Sequence, residues 1–261
     1  MKIKINRSFW IGVFLLGVVI PLNVLIFSCK KESLIEESQF TATPYQLTIP
    51  KFFPTQINNP SDNPLTVEGI KLGRYLFYDG RLRGYTGSNS DSLMSCATCH
   101  LQKNAFECGI DHPKYIGGRP FGVTGIHTPH VMLPMQNLVF NNEGYFWNGL
   151  IYKSNPSANR RNLEDDVEMG ITAPHVMNST TDRAVAAIAS VSIYPPMFKA
   201  AFGTPDITID RIKKAIAQFI RTLVSSNSKF DRWLRGEVNL TDDEMAGYIL
   251  FTTEEGADCF H

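Results

Sequence analysis

The residues Cys96, Cys99 and His100 form a Cys-x-x-Cys-His motif, and this spacing is typical of one particular chemistry. Two thiols three residues apart can each form a thioether with a vinyl group of one haem, while the adjoining imidazole binds the haem iron. A zinc site or a redox-active Cys-x-x-Cys is the alternative. Zinc, however, requires a second pair of ligands at suitable spacing, and the sequence contains no second complete pair. The motif therefore predicts a covalently attached haem c.

Cys259 lies in a second motif that is only half present, because residues 256–261 are Gly-Ala-Asp-Cys-Phe-His. Two further residues, Cys and His, would complete another Cys-x-x-Cys-His. We therefore expect Cys259 to be the first thioether-forming residue of a second haem site. We also expect the chain to be a C-terminally truncated fragment of a longer protein. The alternative is a natural terminus with an isolated cysteine.

The N-terminus has the features of an export signal or a membrane anchor. Three basic residues in the first seven positions precede an uncharged, largely apolar run from Phe9 to Phe27. Ser28 before Cys29 matches a bacterial lipoprotein processing site, which predicts that Cys29 becomes the lipidated first residue. An uncleaved signal anchor and an ordinary cleaved signal are the alternatives. The expected location is the periplasm, with a tether to the membrane.

The composition sets broad limits on size and partners. The chain has 261 residues, enough for one large or two small domains, and its 25 Lys and Arg balance its 25 Asp and Glu. This balance gives no indication of a nucleic-acid partner, and we expect none. Cys108 has no evident partner in the sequence, and we interpret it as a small buried residue rather than a ligand.

Helical patterns are clearest at the two ends of the region that follows the N-terminal segment. Thr66 is placed to cap a helix that stops at Asp79-Gly80, Thr208 to cap another, and Thr241 to Glu244 form a capping box. Residues 101–180 are rich in Gly, Pro and Asn, as expected of a segment that wraps a prosthetic group. No alternating strand pattern of useful length is present, so the predicted fold is mainly α. The predicted organisation is a signal or lipoprotein anchor at 1–29, a polar tether and extended arm at 30–63, a haem domain at 64–240 and the start of a second haem domain at 241–261.

Several segments between Leu65 and the last residue share their order with a known family. They are 72–79 (Leu-Gly-Arg-Tyr-Leu-Phe-Tyr-Asp) with Arg81-Leu82, the haem motif, Asn104-Ala105-Phe106, Thr128-Pro129, Phe146-Trp147-Asn148-Gly149, Leu163-Glu164-Asp165 and 197–203 (Met-Phe-Lys-Ala-Ala-Phe-Gly). Each segment alone is a weak signal, but the set in this order resembles the bacterial dihaem cytochrome c peroxidase family and its relative, the dihaem enzyme of methylamine utilisation.

The resemblance implies two cytochrome-c-like domains in tandem, with the second one incomplete here and two haems c in the full-length protein. It implies that His100 is the proximal ligand of the peroxide-reacting iron and that Cys259 begins the site of the electron-entry haem. It also implies that hydrogen peroxide is reduced with electrons from a small cytochrome c or cupredoxin. Trp147 would be an electron relay between the haems, or else a core aromatic residue. The resemblance leaves a homodimer open.

The sequence departs from the family on the distal side of the haem. The family usually has a catalytic glutamate before a methionine, and the matching position is Val176, which cannot transfer a proton. His175 is the nearest replacement, whereas Glu168 would require a different register that fits the flanking segments less well.

The distal iron ligand of the resting state is expected among His112, His127 and His130, with His112 slightly favoured. A loop histidine bonded to the backbone or to a haem propionate is the alternative for each. His127 replaces a frequent asparagine of the family, which puts a calcium site in doubt.

Three functions are therefore compatible with the sequence. The first is an exported dihaem peroxidase. The second, motivated by Val176, is a membrane-tethered dihaem protein for electron transfer or sensing without peroxidase activity. The third is a haem enzyme that oxidises a protein or a small organic molecule.

Overall fold

Helices make up most of the regular structure in the residues that the computed structural model describes, namely 40–84, 93–109, 116–146, 151–152, 162–254, 256–257 and 259. The α-helices in these ranges are α1 (Val67–Phe77), α2 (Cys96–Cys99), α3 (Leu163–Thr172), α4 (Thr181–Ala189), α5 (Tyr194–Phe202), α6 (Ile209–Arg221), α7 (Lys229–Leu234) and α8 (Asp242–Thr252). Short 3-10 helices lie at Gly80–Leu82, Gln102–Asn104, Ile116–Gly118 and Leu138–Phe140. The expectation of a mainly α fold is confirmed.

The chain divides into two compact units, Met1–Phe40 and Thr41–His261. In the first unit only Phe40 belongs to the described residues, so the predicted signal segment and Cys29 lie outside them. All the helices named above belong to the second unit.

Helix α1 begins and ends where its local sequence signals predict. The Thr66 hydroxyl accepts a hydrogen bond from the Gly69 backbone N–H and so satisfies one of the free donors of the first turn. Its buried face includes Leu72, Leu76 and Phe77, which are all fully buried. This face packs against α5 and α6.

Helices α1 and α6 approach closely at a glycine. A Cβ atom built on Gly73 would lie 1.9 Å from the backbone oxygen of Ala215, so no larger residue fits without moving one helix. Helix α6 is capped by Thr208, and its fully buried residues include Ile212 and Ile216. Helices α3 and α4 also pack on α6, which is therefore the central helix of the described core.

The segment before α1 is irregular but attached to the helical core. The backbone N–H of Tyr45 donates to Leu65 O at 2.9 Å, and that of Val67 donates to Thr43 O at 2.9 Å. Further along, the Asn58 side chain donates to Asn141 O at 3.0 Å and to the Tyr145 hydroxyl at 2.8 Å. Residues 41–63 thus lie against the helices in the same compact unit.

A buried polar network joins this arm to α3 and α6. The Arg221 guanidinium donates to both carboxylate oxygens of Glu164, at 2.6 and 3.0 Å, while its Nε has no hydrogen-bond partner among the described residues. Asn63 donates to Glu164 at 2.6 Å and accepts from the Gln218 side chain at 2.8 Å. Burial opposes ionisation of Glu164, but the hydrogen bonds and charge of Arg221 outweigh it and hold the pKa of the carboxyl below its ordinary value.

A short antiparallel pair of strands lies among the helices of the described residues. Strand β1 (Gly144–Tyr145) pairs antiparallel with β2 (Ile151–Tyr152), with Gly144 opposite Tyr152 and Tyr145 opposite Ile151. Strands of this length carry too few positions for an alternating pattern, so the sequence did not predict them.

Helices α7 and α8 form the C-terminal part of the described chain. They contact each other through the rings of Phe230, Trp233 and Tyr248, whose centroids lie 5.1 to 5.7 Å apart. Neither helix contains a buried residue. Among the described helices no single one has the length and apolar character needed to cross a bilayer, whereas the pair α4 and α5, bent by 109°, meets that test only as a broken unit.

Candidate functional site

The two motif cysteines lie on one helical turn. Helix α2 contains only Cys96–Cys99, and the Thr98 hydroxyl accepts a hydrogen bond from the Ser95 backbone N–H at 3.0 Å, which closes the turn. Residues three apart on a helix lie on the same side, so both sulfur atoms can reach one flat group. Neither cysteine is in a disulfide. Burial raises the pKa of the Cys96 thiol to about 12, so the thiol is neutral at physiological pH.

His100 follows this turn directly and has a defined tautomer. Its Nδ1 lies 2.6 Å from the carbonyl oxygen of Phe106. A carbonyl only accepts, so Nδ1 carries the proton and donates, which leaves the Nε2 lone pair free to bind a metal. Burial lowers the pKa of His100 to about 4, against the opposing effect of that hydrogen bond, and the imidazole is therefore neutral. A neutral imidazole is the form that binds iron.

The turn after His100 brings the Phe106 carbonyl into place. Ala105 and Phe106 both have positive φ, at 57° and 62°, and side-chain-bearing residues adopt this region at a cost of roughly 1–3 kcal/mol each. The Phe106 N–H donates to Leu101 O at 3.0 Å, and the Leu101 N–H donates to Glu107 O at 3.1 Å. This acceptor could not be predicted from the sequence, because a backbone carbonyl has no signature in the residue types.

These residues fit a covalently attached haem. Two sulfur atoms on one turn, a free Nε2 and the apolar neighbours Met94 and Ala97, which pack against the core, supply what thioether bonding, iron ligation and a flat apolar ring require. Within the described ranges, no three His, Cys, Asp or Glu side chains come together in a way that would hold a separate metal ion.

Cys108 is buried, as interpreted from the sequence. It is 1% exposed, and its thiol donates to Gly118 O at 2.9 Å. Burial also raises the pKa of this thiol, so it is a neutral, packed side chain.

The segment that carries His175 and Val176 is a turn after α3. The Val176 N–H donates to Ala173 O at 2.9 Å, and Val176 O accepts from the Val123 N–H at 2.8 Å. The Thr124 hydroxyl donates to Pro174 O at 2.7 Å. The loop around residue 123 therefore holds this turn through the backbone.

Two glycines allow other parts of the chain to approach the same turn. A Cβ on Gly84 would lie 1.6 Å from Asn178 O, and one on Gly122 would lie 2.3 Å from the carbonyl carbon of His175. Side chains at either position would push the turn away. Neither glycine is recognisable from the sequence as part of a site.

Glu168, the carboxylate of the alternative register, lies in an ion pair. Its Oε2 is 2.8 Å from the Lys213 ammonium, and it is partly exposed on α3. Val176 is partly buried against the hydrophobic core. The register in which Val176 occupies the position of the family's glutamate stays a prediction.

The other predicted residues that the structure describes either have partners of their own or are exposed. His127 stacks on Phe121 with ring centroids 3.8 Å apart, and its Nδ1 lies 3.2 Å from Arg119 O. His130 is exposed, and Cys259 is exposed after α8. His112 and Trp147 lie outside the described residues.

Comparison with known proteins gives a consistent set of relatives. The sequence profile of the family described as di-haem cytochrome c peroxidase matches residues 67–239. The methylamine utilization protein MauG of Methylorubrum extorquens is 34% identical over 210 residues, which cover 80% of this chain and 53% of that protein. Cytochrome c551 peroxidase of Nitrosomonas europaea is 34% identical over 197 residues, 75% of this chain and 51% of that protein.

A solved structure described as a MauG-like protein associated with microbial copper homeostasis is also similar. It is 30% identical, with a TM-score of 0.68 over 82% of this chain and 57% of that chain. The chain thus spans about half the length of the relatives that it matches.

Proposed function

Because the chain belongs to the di-haem cytochrome c peroxidase family, we propose that it is the peroxide-reacting half of an exported enzyme that reduces hydrogen peroxide to water. The electrons would come from a small cytochrome c or cupredoxin. The observation that supports this proposal most strongly is the turn that presents Cys96, Cys99 and a neutral His100 with a free Nε2.

In this proposal Cys96 and Cys99 would hold the haem through thioethers, and His100 Nε2 would bind its iron as the proximal ligand. The bound haem supplies the redox chemistry that cleaves the oxygen–oxygen bond. The chain orients it by fixing the imidazole through the Phe106 carbonyl.

Peroxide cleavage also needs a group that moves a proton from one oxygen to the other. Val176 has no titratable atom, and the adjacent His175 is the candidate that we propose for this step. The backbone of the turn that carries His175 is held by Val123, Gly84 and Gly122, which would fix the point from which the imidazole extends.

The remaining assignments complete the proposal for the full-length protein. Cys259 would begin the second haem site, Trp147 would relay electrons, and His112 would bind the iron in the resting state. The domain limits at 1–29, 30–63, 64–240 and 241–261 remain predictions. The lipidation of Cys29 predicts a periplasmic protein on the membrane, and the mass of the mature N-terminal peptide tests it: an unmodified first residue other than Cys29 contradicts it.

The test of the main proposal is steady-state oxidation of a reduced donor protein by peroxide, with the full-length protein. Cys96→Ser with Cys99→Ser should abolish the covalent haem seen as alkaline pyridine absorption bands, whereas Cys108→Ser should retain it. A haem-loaded protein with turnover no higher than free haem would contradict the peroxidase proposal.

Val176 also supports the second candidate, a membrane-tethered dihaem protein for electron transfer or sensing. This candidate predicts a reducible haem with little turnover, and it predicts that Val176→Glu raises turnover by about 10²-fold, the lower range for a positioned proton-transfer group. Val176→Gln is the matched control, since it adds similar bulk without an acid. Equal rates in the two variants would show that position 176 does not face the bound peroxide.

A further inference from the structure

The turn after the haem motif is held in a conformation that its residue types do not favour. Ala105 and Phe106 are consecutive left-handed residues, and neither is Gly, Asn or Asp, the types that adopt positive φ readily. An observed backbone outlier of this kind is a reason to look for a function, because the surrounding structure must enforce it.

Several contacts enforce the turn. Its backbone bonds close residues 101–107 into one loop, and the Phe106 ring is buried edge-on against Phe77 of α1, with centroids 5.9 Å apart. At the far end, the Asn104 side chain donates to Cys108 O at 3.1 Å. The result of these contacts is that the Phe106 carbonyl lies 2.6 Å from His100 Nδ1.

We propose that Ala105 and Phe106 are positioning residues whose left-handed pair sets how strongly the His100 imidazole donates electrons to the haem iron. A short bond from Nδ1–H to a carbonyl draws the proton away from the ring, which makes Nε2 more basic. A more basic ligand stabilises oxidised iron relative to reduced iron. The inference rests on the haem attachment proposed above, but it does not require that the protein reduce peroxide.

The conformation of Ala105 can be tested at a single site. Ala105→Gly keeps positive φ accessible, so the Phe106 carbonyl should stay beside His100 Nδ1. Ala105→Val places a β-branched residue at φ 57°, where it is a strong outlier, so the turn should open and the Phe106 carbonyl should leave Nδ1. Both variants keep every haem-attaching residue.

The readouts are the iron–imidazole stretching band by resonance Raman and the midpoint potential, both on haem-loaded protein. Ala105→Val should lower the stretching frequency and shift the ferric–ferrous equilibrium about tenfold toward ferrous, which is a rise of about 59 mV for one electron. Ala105→Gly should match the wild type in both. If both variants match the wild type, or if both shift alike, the left-handed pair does not set the ligand strength and the inference is wrong.

A second variant covers the case in which Ala105→Val fails to take up haem. Asn104→Ala removes only the side-chain bond to Cys108 O and should shift both readouts in the same direction by a smaller factor. A haem-loaded Asn104→Ala protein with an unchanged band and potential would then overturn the inference. A wild-type protein without covalent haem would instead overturn the proposed haem attachment, and this inference with it.

Discussion

The core around α1 and α6 and the C-terminal pair α7 and α8 place their apolar side chains in opposite environments. Leu72 and Ile216 are fully buried between helices, whereas Ile249, Leu250 and Phe251 of α8 are each about half exposed. The second half of α8 is apolar on all sides, a pattern more typical of a buried helix than of a surface one. Apolar side chains are therefore fully buried on helices that pack against several others, and remain half exposed on α8, which contacts α7 through a few rings.

The charged groups of the two regions also differ in burial. Glu164 and Arg221 are enclosed in the core and share hydrogen bonds with Asn63. Lys229 and Glu244 also form an ion pair, but both side chains are more than 40% exposed. A buried pair is costly to break because the remaining charge loses its partner without regaining water, whereas an exposed pair exchanges its partner for solvent.

The largest expected effect follows from breaking the buried pair. Arg221→Ala leaves the Glu164 carboxylate buried and unpaired, and should lower the free energy of unfolding by about 3–5 kcal/mol in urea titrations. Removing both charges with Glu164→Leu and Arg221→Met should cost less than Arg221→Ala alone.

Lys229→Ala is the matched change in the C-terminal pair, and it should leave the urea midpoint almost unchanged. A loss for Lys229→Ala comparable to that for Arg221→Ala would contradict the comparison.

Replacing a glycine with alanine should change the free energy of unfolding in opposite directions in the two regions. Gly73→Ala places a Cβ 1.9 Å from Ala215 O and should destabilise the protein by about 1–3 kcal/mol. Gly247→Ala in α8 meets no atom within 4 Å and should stabilise by roughly 0.5–1 kcal/mol, because alanine loses less backbone entropy than glycine in a helix. Thermal unfolding of the two variants measures both effects. A destabilised Gly247→Ala protein would mean that α8 is packed more closely than the structure shows.

The pH dependence of stability should also depend on Glu164. Because its pKa is lowered in the fold, the ionised carboxyl contributes stability above the ordinary value of 4.5, and this contribution is lost as the pH falls through the lowered pKa. As the pH is lowered from 5, the midpoint of unfolding should fall more steeply for the wild type than for Glu164→Gln. Parallel curves would assign the acid sensitivity to other carboxyl groups.

The sequence predicted those features that depend on neighbouring residues. Thr66, Thr208 and the Thr241–Glu244 capping box mark the starts of α1, α6 and α8, because a cap is a bond between residues three apart. The spacing of Cys96, Cys99 and His100 likewise needed no tertiary information.

Features that depend on distant contacts or on backbone atoms were not predictable from the sequence. Asn63 and Glu164 meet across 101 positions, and an asparagine in a proline-containing arm has no pattern that marks it as a buried partner. The Phe106 carbonyl and the close approach at Gly84 involve backbone atoms, which every residue carries. The register for Val176 came from the resemblance alone and stays a prediction.

The smallest expected effect concerns the exposed face of α8. Leu250→Gln should change the free energy of unfolding by no more than about 0.5 kcal/mol, because the leucine side chain is already 56% exposed and little packing is lost. Leu72→Ala, by contrast, should cost about 2–5 kcal/mol, since it opens a cavity in the fully buried α1 face. The two leucines differ in partners rather than in residue type, so urea unfolding of this pair isolates packing from composition. A cost for Leu250→Gln near that of Leu72→Ala would show that another surface covers α8 in solution.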